Sequence, residues 1–161
     1  MKIPLDTSSK ISIRSRNETT KFFDPTNFRI IELDLSCNHL LDFDPTQFQN
    51  HLNNIEKINL MKNNLTQIDK RVFAHLLKLT DVNLSLNKLN KIHTNTFGHL
   101  KLLTRLDLSS NKLNGLQASL FDGVPTLLEL NLSFNLFESF EKNVFKSLGN
   151  LNKYGRDFYL K

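Results

Sequence analysis

The sequence predicts a solenoid of stacked repeats with one parallel β-sheet, an α/β architecture, on three observations. Asn38, Asn63, Asn87, Asn111 and Asn135 fall 25, 24, 24 and 24 residues apart. Each stands in the same apolar frame, with Leu33 and Leu35, Ile58 and Leu60, Val82 and Leu84, Leu106 and Leu108, and Leu130 and Leu132 ahead of it. Ten residues beyond each asparagine comes a phenylalanine: Phe48, Phe73, Phe97, Phe121 and Phe145. A fixed period of this length marks a repeat architecture in which neighbours bury one continuous core.

The apolar pairs alternate with period 2, as a short strand with one buried face requires. Each repeat therefore contributes one strand. The frame opens at Ile30, Ile55, Leu79, Leu103 and Leu127 and closes on apolar residues after the asparagine, with Phe137 and Phe140 in the last repeat. Where the strand turns into a buried loop, backbone amides and carbonyls need partners, and a short amide side chain both donates and accepts. The five asparagines are thus expected to form a structural ladder rather than a catalytic set. The phenylalanines, each followed three residues later by Leu76, Leu100, Val124 or Leu148 in repeats two to five, predict a column of rings in the outer half of the core. In the first repeat His51 takes that place and Leu52 follows.

Before the first full repeat, Phe23-Asp24-Pro25-Thr26-Asn27-Phe28 echoes Phe43-Asp44-Pro45-Thr46-Gln47-Phe48, and Ile11-Ser12-Ile13 alternates like a strand. Residues 1–29 are therefore expected to be a degenerate N-terminal repeat or partial cap, 30–148 five repeats, and 149–161 a truncated or divergent C-terminal segment. After Leu151 and Tyr154 the pattern breaks at Gly155, Arg156 and Asp157.

The frame LxxLxLxxNxLxxIxxxxFxxL resembles the leucine-rich repeat, in the 24-residue variety of extracellular proteins such as Toll-like receptors, Slit-type guidance proteins and invertebrate immune proteins. That resemblance implies a right-handed horseshoe arc, with the parallel strands on the concave side and loops or short helical turns on the convex side. It also implies a recognition scaffold, part of an extracellular receptor or secreted immune or adhesion protein, innate immunity included. An intracellular scaffold or adaptor of the same fold is the alternative, which would place the chain in the cytoplasm.

Cys37 is the one cysteine, so no disulfide forms within the chain and the cysteine-bonded caps of extracellular relatives are absent. The first ten residues lack the apolar stretch of a secretory signal. A fragment of a longer secreted or membrane-anchored protein is the preferred explanation, against an intracellular protein capped by its own termini. No run of about 18 apolar residues occurs, so no membrane span is expected within these residues.

Strand alternation sends two stripes outward on the concave face. The first is Glu32, Lys57, Asp81, Arg105 and Glu129; the second is Asp34, Asn59, Asn83, Asp107 and Asn131. The first alternates in sign, which suits lateral pairing between rungs and also a mixed-charge face for a protein partner of unknown identity. The net charge of +5 is scattered rather than clustered, so nucleic acid is an unlikely partner and a third choice. Leu86, Phe134 and Leu136 suggest a more apolar patch beside the ladder, for which ordinary packing is the first reading.

Four acceptor sequons, at Asn17, Asn64, Asn83 and Asn131, are possible glycosylation sites; the last two arise from the strand phrase Asn-Leu-Ser. His51, His75 and His99 recur with the repeat, which explains their spacing without a metal, and no cofactor is expected. Cys37 and His39 do not make a triad, and no glycine-rich phosphate loop occurs, so no catalytic residue is assigned and no enzyme activity is expected.

Overall fold

The computed structural model describes residues 10–12, 31–45 and 52–151. Phe48 and His51 lie outside the described residues, as does most of the proposed N-terminal repeat. Among the described residues six three-residue strands follow in chain order: β1 (Lys10–Ser12), β2 (Glu32–Asp34), β3 (Lys57–Asn59), β4 (Asp81–Asn83), β5 (Arg105–Asp107) and β6 (Glu129–Asn131). They form one parallel sheet in the order β1-β2-β3-β4-β5-β6. The register never slips, since Leu33, Ile58, Val82, Leu106 and Leu130 face one another in turn. These middle residues are at most 5% exposed.

The leucine that follows each strand extends the ladder. Leu35, Leu60, Leu84 and Leu108 each donate a backbone N–H to a carbonyl of the next rung at 2.8–2.9 Å. Neighbouring rungs are thereby tied on one side by strand bonds and immediately beyond it by these bonds. The chain then turns back through a series of tight turns, in which Leu76 donates to Phe73, Leu100 to Phe97, Val124 to Phe121 and Leu148 to Phe145 at 3.0–3.1 Å. Residues 52–54 form a 3-10 turn at the same place in the first repeat. Helix on this side does not exceed such turns among the described residues.

Phe73, Phe97 and Phe121 are fully buried, and Phe145 packs partly buried against the same core. Phe73 stacks on Phe97 with ring centres 5.9 Å apart, and Phe121 on Phe145 at 6.0 Å. Phe137 and Phe140, the last apolar pair of the frame, pack at a tilt with ring centres 4.8 Å apart, and Phe140 meets Phe145 in a T-shaped contact at 5.1 Å. On the same side the backbones of Gly98 and Gly123 approach so closely that a Cβ on Gly123 would overlap Gly98.

One member of the core is chemically out of place. Val72, Leu120 and Val144 precede the phenylalanines in their repeats, and Thr96 holds that position in the third. Thr96 is 2% exposed and its hydroxyl finds no partner. A stranded buried hydroxyl costs about 1–3 kcal/mol. Thr96→Val is therefore expected to raise stability by about 1 kcal/mol, read as a higher urea midpoint with an unchanged slope; a lower midpoint would show that the hydroxyl is satisfied in solution.

Candidate functional site

The two residues flanking each buried strand centre leave the core. In the first stripe, the register sets Glu32 beside Lys57, Lys57 beside Asp81, Asp81 beside Arg105, and Arg105 beside Glu129. Arg105 joins its neighbours on both sides: Nε lies 3.0 Å from Glu129 Oε2, and an Nη 3.3 Å from Asp81 Oδ2. The charge and hydrogen bond of Glu129, then Asp81, hold the guanidinium above its ordinary pKa. The cluster is solvated, so its part in stability is small. Lys57 is exposed and makes no ion pair among the described residues, which leaves its ammonium available to a partner.

The second stripe behaves differently from what alternation alone suggests. Asp34 is buried, Asn59, Asn83 and Asp107 are half-buried, and only Asn131 is exposed. The reason is local hydrogen bonding. The Oδ1 of Asp34, Asn59, Asn83, Asp107 and Asn131 accepts the backbone N–H two residues on, at 2.9–3.1 Å. Ser85, Ser109 and Ser133 add a hydroxyl bond to the same oxygen at 2.6–2.8 Å. Short polar side chains of this kind readily bond their own backbone. These residues therefore hold the end of each strand in its turn, and they offer a partner only one side of the carboxamide or carboxylate.

The ladder lies just beyond. Asn63, Asn87, Asn111 and Asn135 are 6–7% exposed. Asn87 donates Nδ2 to the carbonyls of Leu60, Leu84 and Ser85 at 2.9–3.1 Å and accepts Leu65 N–H on Oδ1 at 3.1 Å. Asn111 repeats this one rung later with Leu84, Leu108, Ser109 and Leu89. Asn63 and Asn135 do the same in their own rungs. Asn38 is buried at 9%.

Immediately before each of these asparagines the backbone is left-handed. Cys37, Lys62, Leu86, Ser110 and Phe134 have φ between 54° and 60°. None is glycine. The conformation lets Leu86 N–H reach Ser109 O and Ser110 N–H reach Ser133 O, and it turns the side chain away from the core. Leu86 is 49% exposed, Phe134 75% and, just past the ladder, Leu136 60%. The patch suggested by the sequence is thus an outward edge rather than internal packing.

Of the sequons, Asn17 lies outside the described residues. Asn83 engages only Oδ1, Asn131 donates Nδ2 to Asp107 at 3.3 Å, and Asn64 makes a long 3.5 Å contact to His39 O. His75 and His99 are exposed one rung apart. No group of three metal-binding side chains gathers among the described residues. No helix among them is long and apolar enough to cross a membrane.

The family model for the leucine rich repeat matches residues 29–85, 53–113 and 101–153, most of the chain. The chain belongs to the leucine-rich repeat family. Its sheet, turns and asparagine ladder are those of a leucine-rich repeat solenoid. Among solved structures it is similar to TLR13 in a TLR13–ssRNA13 complex, at 30% identity over 76% of this chain with a TM-score of 0.71. It is similar to Toll in the Toll–Spatzle complex from Drosophila, at 27% identity over 78% with a TM-score of 0.70. It also shares the fold of the APL1B leucine-rich repeat domain, at 23% identity over 74% with a TM-score of 0.66. The chain spans 17% of the length of each of the first two and 35% of the third. No curated protein sequence matches it.

Proposed function

We propose that this leucine-rich repeat chain is a non-enzymatic protein-recognition module of an extracellular receptor or secreted immune or adhesion protein. The observation that carries the reading is the constant register of the sheet, which holds Glu32, Lys57, Asp81, Arg105 and Glu129 in one outward row on a stacked scaffold. A preformed surface loses little freedom on docking. The likeness to Toll bound to Spatzle supports a protein partner, and the likeness to Toll and TLR13 supports the receptor context. The proposed division stays at 1–29, 30–148 and 149–161, with β1 in register with β2 as its support at the N-terminal side.

A second reading is single-stranded RNA, because one neighbour is an ssRNA complex. The comparisons therefore give no support to the expectation that nucleic acid is an unlikely partner. Against RNA on the sheet face stands its charge: the two stripes hold five carboxylates, at Glu32, Asp34, Asp81, Asp107 and Glu129, and two cations, Lys57 and Arg105. Polyanions bind through cations and lose affinity steeply with salt.

The test is a screen of the labelled chain against an array of secreted and cell-surface ectodomains and against polyuridylate, followed by the double variant Lys57→Glu, Arg105→Glu. A tenfold or greater loss of ectodomain binding is expected, about 1.4 kcal/mol. Retention of full affinity would move the contact off the sheet face. Polyuridylate binding that falls steeply between low and physiological salt would establish the RNA reading instead.

A further inference from the structure

We propose that the turn edge of the third to fifth repeats is a second docking surface, fitted to an acidic protein segment that carries apolar anchor side chains. This rests on the protein-recognition reading but uses different residues. The edge is the pair of columns on either side of the buried ladder, one made by the left-handed residues and one by the residues that follow the asparagines.

Apolarity here does no work inside the fold. The left-handed turn uses the backbone of Leu86, whose N–H bonds Ser109 O, and the same turn is made by Lys62 and Ser110 in neighbouring rungs. Bulky side chains disfavour φ near 55°, yet Leu86 and Phe134 stand in that conformation at 49% and 75% exposure. With Leu136 they present three large apolar groups to solvent where a polar residue would serve the turn equally well.

Charge identifies the occupant. The two columns contain Lys62, Lys88 and Lys112, and no carboxylate at any of their ten positions from Cys37 to Leu136. All three lysines are exposed and none is ion-paired among the described residues. The adjoining sheet face has the opposite balance. Leu86 and Phe134 sit two rungs apart, about 10 Å at ~4.8 Å per strand, which an extended segment covers in about three residues. Acidic residues between two apolar anchors would then pass over Lys88 and Lys112, and complementary charge steers and orients such docking.

Other occupants fit less well. Single-stranded nucleic acid needs successive aromatic platforms, and the two columns hold only Phe134 and, four rungs away, the imidazole of His39. A second copy of the chain would offer the carboxylates of its sheet face, whose two stripes contain no apolar side chain to fill the place of an anchor. Glycans at Asn83 and Asn131 would project from the sheet face, and one at Asn64 would border the edge at the second repeat. The edge columns of the third to fifth rungs carry no sequon of their own.

The probe is a twelve-residue fluorescent peptide that alternates acidic residues with leucine and phenylalanine, titrated against the whole chain by anisotropy. Phe134→Ser with Leu136→Ser, and separately Lys88→Glu with Lys112→Glu, are expected to weaken it at least tenfold, with an unchanged circular-dichroism melt. Lys57→Glu with Arg105→Glu is expected to leave it unaffected. Equal binding by both edge variants, tighter binding of polyuridylate than of the peptide at physiological salt, or a wild-type dimer in sedimentation that the edge variants dissolve would each overturn the assignment. Loss of the edge with ectodomain binding intact would leave the proposed function standing.

Discussion

Replacing Asn87 by leucine is expected to lower the unfolding free energy by about 3 kcal/mol or more, seen as a fall in the urea midpoint. The side chain of Asn87 is shared between two rungs: it bonds Leu60 O and Leu65 N–H in one and Leu84 O and Ser85 O in the other. Leucine matches its size and none of its polarity. The backbone groups it leaves are buried, and each stranded group costs about 1–3 kcal/mol. Water cannot replace the amide without opening the turn. An unchanged midpoint would remove the asparagines from the account of what joins the repeats.

Phe97→Ala is expected to cost about 3–5 kcal/mol, the range for emptying a fully buried aromatic site. Phe97 has no exposed surface and its ring stacks on Phe73. It sits in the third of five repeats, with packed neighbours on both sides. In a stack, stability is close to a sum of repeat and nearest-neighbour terms, so a loss at the centre weakens the coupling of the two halves. Equilibrium unfolding followed by circular dichroism should show a lower midpoint and a broader transition. A loss below about 1 kcal/mol would mean that the ring column contributes little.

Most of the fold was legible in the sequence because each rung answers the same local problem. Leu33, Ile58, Val82, Leu106 and Leu130 have to be apolar in every repeat for the sheet to have an inside, and the asparagines have to be amides for the turn to be satisfied. Those demands leave a period. The surface carries no such demand, and there the reading was less complete. Alternation placed Asp34 and Asn83 outward with Lys57 and Arg105, but it is blind to the bond each makes with the N–H two residues ahead. The serines at Ser85, Ser109 and Ser133, recurring two residues after Asn or Asp, were the available signal. The left-handed turn residues were equally hidden, since position, not glycine, defines them; the run Cys37, Lys62, Leu86, Ser110 and Phe134 shares no chemistry. The outer side consists of loops and tight turns, as the resemblance implies, because turns closed between residues three apart already return the chain to the next strand.

At each seam the bonds beside the strands repeat the same two directions, and Glu56, Thr80, Thr104 and Leu128, just ahead of their strands, donate back to the rung before. Leu35, Leu60, Leu84 and Leu108 give their protons forward, and the amides of Asn63, Asn87, Asn111 and Asn135 reach back to the rung before. Every seam is consequently interchangeable: it asks for the same forward acceptor and the same returning amide, whichever two segments meet there. Duplicating or excising a whole 24-residue unit at any interior seam leaves no polar atom newly orphaned, whereas gaining or losing one residue inside a strand misaligns everything downstream. Evolution can therefore lengthen such a protein in whole modules while redrawing its contact chemistry one rung at a time.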